Sequence, residues 1–394
     1  MSEQQIQKII FPYIVKRPSP ASPFDRIAVY FGADFYNLPI DSNRELFIKT
    51  SNQILDYMRH SLPGFKFVYQ PHPNETDEYI HLDLHDFKIE ERTIAEIYLH
   101  ENASVIDYVF SAYSGASTSA FAMGFDSVIF LDLLQGALSE ETIAVCRTYF
   151  SGLPDFTFIK SWSNPLPRRK PLSPEIGKKS FEEIAHLVNL KKTIWMLASE
   201  PAAGLRCAVI ARSLKQKQPK LCAKLIIVNH RRWNLGLSNK TIQGAFDEII
   251  QIPGQRIWYG TGFRRILGTY NTARFLKHLP IEYNDNLIFN FANSLEENCL
   301  LSYHSKTNKI LLIENRWYQF MYGGESEVLP KDGWRSMWGV RFFNYIVEPL
   351  LGLHSTIYRE FRDGKTLNLF RYNKSPEKIY DHILVLMPSA ESHN

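Results

Sequence analysis

Cysteine is scarce in this chain: Cys146, Cys207, Cys222 and Cys299 stand far apart among 394 residues, and no two form a CxxC pair. That spacing excludes a small disulfide-stapled scaffold and the usual frame of a structural zinc site, and it fits a reducing cytoplasm. Long apolar runs are also lacking, since no stretch approaches the roughly 18 to 20 residues that a bilayer-spanning helix needs. The opening segment, MSEQQIQKIIFPYIVKRPSP, has no apolar core followed by a cleavage site, so export is not expected. Neither sign of charge dominates, with 45 basic against 41 acidic residues and a net charge of +4. A dedicated nucleic-acid binder is therefore not expected, although a local basic patch is compatible with this balance.

The composition, 45% apolar and 13% aromatic, is that of a chain that folds, and its length suits two domains, each with its own core. Arg26-Ile-Ala-Val-Tyr-Phe31 reads as a buried strand running into Gly32-Ala-Asp34. The spacing predicts a helix over residues 44–61, then a strand over 65–69 that enters Gln70-Pro-His-Pro73. Ile94-Ala-Glu-Ile-Tyr98 forms the next unit. A strand at Tyr108-Val-Phe110 precedes the small-residue run at 111–120, and another at 127–131 follows Gly124. Strands alternating with helices imply a parallel sheet that binds ligand at its carboxyl ends. Residues 160–182 turn polar and rich in Pro, Lys and Arg, as a linker would. The expected division is a nucleotide domain over 1–165, a linker over 166–185, and a second Rossmann-like domain with C-terminal helices over 186–394. The same rhythm resumes there at 224–228, 247–252, 286–291 and 309–313, with no detectable sequence repeat.

Three features carry chemistry. In Tyr69-Gln-Pro-His-Pro73, prolines fix the backbone at a strand end, so His72 can donate to a phosphate oxygen or be an incidental turn histidine. In Ser114-Gly-Ala-Ser-Thr-Ser-Ala120, hydroxyls and backbone N–H groups at a helix start suit an anion, or simply cap and pack that helix. This run has neither the lysine of a P-loop nor the GxGxxG spacing, which disfavours ordinary NTPase and NAD chemistry. Glu96, an acid in an apolar segment, can accept from ribose hydroxyls or face solvent.

Taken in order, these features over about residues 25–135 resemble the nucleotide domain of bacterial lipooligosaccharide sialyltransferases and capsule polysialyltransferases. The resemblance implies a donor site for a CMP-sugar in which His72, Ser117 and Thr118 hold the phosphate and Glu96 grips the ribose, with Gly32 and Ser114 as further members. The segments at 246–250, 286–291 and 309–318 look like the acceptor domain of the same group, whose acidic-acidic-Gly motif carries the base. Here that place reads Glu314-Asn315-Arg316, so Glu314 is the candidate catalytic carboxylate, with Asp285, Asp247 and Asp34 behind it. The nucleotide domain comes first, the reverse of the sialyltransferase order and similar to bacterial β-Kdo transferases. Retention through a covalent intermediate needs a carboxylate at the cleft. Asn229-His-Arg-Arg-Trp-Asn234 supplies none, so the stereochemistry stays open.

Arg231 and Arg232, with Arg264 and Arg265, are candidates to pair with a sugar carboxylate or an anionic acceptor, the alternative being a solvated face. Arg168-Arg-Lys170 with Lys178 and Lys179 reads as a solvated loop, with peripheral attachment to anionic lipid as the sharper alternative. The expectation is an α/β, GT-B-like enzyme of two Rossmann-type domains facing a cleft, nucleotide domain first. It would move Kdo or a sialic-type acid from CMP to a surface glycan or glycolipid, without metal or other cofactor, in the cytoplasm or at the inner membrane face. The rivals are a CDP-glycerol-type transferase of surface polymer synthesis and a non-catalytic nucleotide- or glycan-binding module.

Overall fold

The computed structural model describes residues 6–10, 25–33, 38, 42–73, 75, 79, 81–169, 174–228, 237, 239–253, 263–290, 294–315, 346–353, 357–362, 365–372 and 378–388. The chain divides into two compact units. One takes Tyr13–Lys178 with Met387–Asn394, and the other takes Met1–Pro12 with Lys179–Leu386. The described part is α/β with parallel sheets, compatible with a Rossmann-like fold in each unit.

In the unit built on residues 13–178, strands β2 (Ile27–Phe31), β3 (Lys66–Gln70), β4 (Phe87–Ile89), β5 (Ile106–Ser111) and β6 (Asp126–Ile129) form one parallel sheet in the order β4-β3-β2-β5-β6. The first of these strands lies at the centre, and the chain winds outward to one side and then to the other. This is the doubly wound order, whose crevice opens between the carboxyl ends of β2 and β5. β2 and β5 are apolar along most of their length because both of their faces are covered. Helix α1 (Arg44–Ser61) starts at Asn43, whose side chain accepts from Leu46 N at 3.0 Å, and it buries Phe47, Ile54, Leu55 and Met58. Helices α2 (Ala95–Glu101) and α3 (Ala116–Ala122) follow. Gly124, at φ +96°, ends α3 in the left-handed conformation that glycine adopts without strain.

Helix α4 (Glu140–Tyr149) closes this unit, and α5 (Pro174–Leu187) occupies much of the stretch expected to be a linker. Ile176, Ile184 and Ala185 give α5 an apolar stripe, and Pro174 at its first position suits a helix start. The boundary between the units, at Lys178 and Lys179, therefore falls within a helix. Arg168 and Arg169 are engaged by the fold. Arg168 Nε donates to Tyr108 Oη at 3.0 Å, Arg169 N donates to Asp126 Oδ1 at 3.0 Å, and the Arg169 guanidinium lies 4.1 Å from the Phe121 ring centroid. Lys170 lies outside the described residues, and Lys178 and Lys179 are exposed.

The other unit contains β1 (Ile6–Ile10), β7 (Ile194–Ala198), β8 (Ala223–Ile227), β9 (Glu248–Gln251), β10 (Asn286–Asn290), β11 (Asn308–Glu314) and β14 (His382–Met387). Their order is β1-β14-β11-β10-β7-β8-β9, with parallel pairing from β14 through β9. Helices α6 (Pro201–Lys217), α7 (Lys240–Gln243), α8 (Phe263–Lys277) and α9 (Ser294–Tyr303) accompany them. The opening strand of this domain is β7, thirty residues earlier in the chain than the apolar run at 224–228 expected to open it. Again the order reverses beside the opening strand, between β7 and β10. Toward the end of this unit, the short helix α10 (Glu348–Leu350) and the antiparallel pair β12 (Ile357–Arg362) and β13 (Lys365–Tyr372) precede β14. No helix among the described residues is long and apolar enough to cross a membrane.

Candidate functional site

The donor-site candidates gather at the carboxyl ends of β2, β3 and β5. Gly32 directly follows β2, and its N–H donates to Gln70 O at 2.9 Å. A Cβ at this position would stand 2.4 Å from Tyr69 Oη and 2.6 Å from Glu75 Oε2, so only glycine lets the strand end approach the next loop this closely. His72 follows β3 and is half-buried. Its backbone N–H donates to Glu75 Oε2 at 2.9 Å, while Glu75 N–H donates back to His72 O at 2.8 Å. The Glu75 side chain is fully buried and its Oε1 accepts from Tyr69 Oη at 2.6 Å. Burial, and then the adjacent Glu75 charge, push the Tyr69 phenol far above its ordinary pKa, which keeps it a donor.

After β5, Ser111 Oγ and Ser117 Oγ are 2.6 Å apart, and Ser114 N donates to Ser111 Oγ at 3.1 Å. Ser117 is fully buried, so its hydroxyl serves the loop's interior, while Ser114 Oγ accepts from Ala116 N at 3.2 Å. The Thr118 hydroxyl is buried with no hydrogen-bond partner among the described residues. Glu96, in the first turn of α2, accepts from Ser119 Oγ at 2.9 Å and so ties α2 to α3. The strand order sets Gly32 between the His72 loop and the serine loop, because β2 lies between β3 and β5.

Comparison with protein-family models, with curated proteins and with solved structures finds no match to this chain.

In the other unit, Glu314 ends β11 and is ion-paired with Arg206 of α6, both side chains being largely buried. Arg206 Nη1 also donates to Asn290 Oδ1, at 2.7 Å, and Asn290 Nδ2 donates to Ala203 O at 3.1 Å. This linked group joins the ends of β10 and β11 to the start of α6, where Pro201-Ala-Ala-Gly204 provides small residues for close packing. Arg206 escaped the sequence reading because an arginine within an apolar helix gives no local signal of its partner.

The fallback acids fare differently. Asp285 and Asp247 precede β10 and β9, at the amino ends of their strands. Asp285 accepts from Trp195 Nε1 and from Glu282 N, each at 3.0 Å. Asp247 accepts from Ala223 N at 2.7 Å and pairs with Lys215 at 2.9 Å. Burial pushes its pKa up, but those partners outweigh burial and leave it below the ordinary carboxylate value. Asp34, Arg231 and Arg232 lie outside the described residues. Arg264 and Arg265 lie in the first turn of α8, with side chains outside the described set.

Proposed function

We propose that the chain is a GT-B-like glycosyltransferase that moves a 3-deoxy-ulosonic sugar, Kdo or a sialic-type acid, from CMP to a bacterial surface polysaccharide or lipopolysaccharide. One observation carries this reading: Gly32, His72 and the serine loop follow three adjacent parallel strands on the side where such sheets take nucleotides. In this reading the His72 ring and the Ser114 hydroxyl receive the CMP phosphate, the buried Thr118 hydroxyl joins them once donor binding uncovers it, and Glu96 accepts from the ribose hydroxyls. Ser117 shapes the loop from below. CMP is already a good leaving group, so donors aimed at its phosphate stabilise the charge that grows on departure. The second unit takes the glycan or glycolipid acceptor, and Glu314 would take the acceptor hydroxyl's proton after parting from Arg206.

The test is calorimetry with CMP, CDP, UMP and UDP, followed by incubation with CMP-Kdo and CMP-sialic acid. CMP should bind best, one CMP-sugar should be hydrolysed or transferred, and His72→Ala should weaken CMP binding by roughly ten- to a hundredfold. Preference for CDP would point to the glycerol-type rival, and failure of all four nucleotides to bind would overturn the reading. The Arg206–Glu314 pair favours one second reading, a nucleotide-binding module without transfer. CMP binding with no hydrolysis or transfer at high enzyme concentration would select it.

A further inference from the structure

We infer that Glu75 is a positioning residue that sets His72 in the donor site, an inference that rests on the nucleotide reading above. Pro71 and Pro73 flank His72 and carry no backbone N–H, so His72 supplies the one main-chain donor of that tripeptide. Glu75 takes that donor through Oε2 at 2.9 Å and returns its own N–H to His72 O at 2.8 Å. Both polar backbone groups of His72 are thus held by one residue. The carboxylate is in turn fixed by Tyr69 Oη at 2.6 Å, and the Tyr69 ring stacks on Tyr30 with centroids 5.9 Å apart. Tyr30 and Tyr69 sit on the interior strands β2 and β3, so the His72 main chain is anchored to two buried side chains of the sheet. Burying a carboxylate to hold a turn is expensive unless it gains charge-assisted bonds, and here one of those bonds falls on His72 itself. Gly32 completes the device by leaving room for Glu75 Oε2 and Tyr69 Oη.

The experiment is a double-mutant cycle with CMP as the probe. Glu75→Ala should weaken CMP binding about tenfold, whereas Glu75→Gln, which keeps a carbonyl for the His72 N–H, should recover to within about threefold. In a His72→Ala background neither change should cost more than about twofold, an outcome that general damage to the loop would not produce. Near-normal affinity in Glu75→Ala, or full additivity with His72→Ala, would overturn the inference. Should Glu75→Ala not fold, Tyr69→Phe removes the hydroxyl that holds the carboxylate and is read in the same cycle. If the unmutated chain does not bind CMP, the nucleotide reading fails by itself. Hydrogen exchange at the His72 amide then decides the positioning role, with acceleration of about tenfold or more in Glu75→Ala supporting it and unchanged exchange refuting it.

Discussion

Glu96 and Glu314 are both carboxylates held by the fold, and the roles proposed for them separate their expected behaviour. Glu96 accepts from the Ser119 hydroxyl, and its two carboxylate oxygens are the kind of acceptor pair that can meet both vicinal hydroxyls of a ribose. Glu96→Ala should therefore lower CMP affinity with the fold intact, and Glu96→Gln should restore only part of it, since an amide offers one acceptor oxygen and a misplaced donor. Equal affinities by calorimetry would leave Glu96 as a tie between helices. Glu314 instead meets a buried guanidinium. Glu314→Gln should cost transfer about 10² to 10⁴ in rate while CMP binding persists, and near-normal turnover would remove it from the mechanism. Arg206→Ala removes one partner of a largely buried ion pair and should cost about 3 to 5 kcal/mol, read as a fall in the urea midpoint of its unit. Glu75 was not legible in the sequence at all: an acid two residues after a proline in a polar loop reads as solvated, and only the folded loop reveals its burial.

The elements divide by how much of their burial is local. β2, α1, β3, β5 and β6 were readable because each joins an apolar run to a sharp stop, such as Gly32, Pro71 or Gly124. β7 is equally apolar, but the lysines just before it mask its start, and the prolines and lysines at the start of α5 hide that helix. β1 could not be read, since its partner β14 lies at the far end of the chain. The α8–α9 contact supplies a test at this scale. His304, just past α9, bonds the Leu276 carbonyl of α8 at 2.9 Å, and burial lowers its pKa more than that bond raises it. The folded unit thus binds fewer protons than the unfolded chain below the ordinary histidine value of 6.5. The stability contributed by neutral His304 is whole above that pH and is lost as pH falls through its lower folded value. The urea midpoint of this unit should drop on acidification, and His304→Gln should flatten that part of the slope.

At the scale of the whole molecule, cysteines scattered through both units act as built-in reporters. Cys146 lies in the unit built on residues 13–178, and Cys207 and Cys299 lie in the other, all three buried. Burial pushes the Cys146 and Cys207 thiols up to about 11, so neither is a thiolate at neutral pH and neither should react with a disulfide reagent until its unit opens. Removing residues 1–10 deletes β1 with its buried Ile9 and Ile10, and should cost the second sheet at least about 2 kcal/mol. Cys207 and Cys299 should then react at lower urea, with Cys146 unmoved. A shift of Cys146 alone would contradict the pairing of β1 with β14. That pairing also orders events during synthesis. The five strands β2 to β6 are consecutive in the chain and can close while it is still growing, whereas Ile9 and Ile10 leave the ribosome long before the strand they cover. Until they return, β14 offers an open backbone edge on which a strand from another nascent copy can pair, so docking of the first strand also closes a route to aggregation.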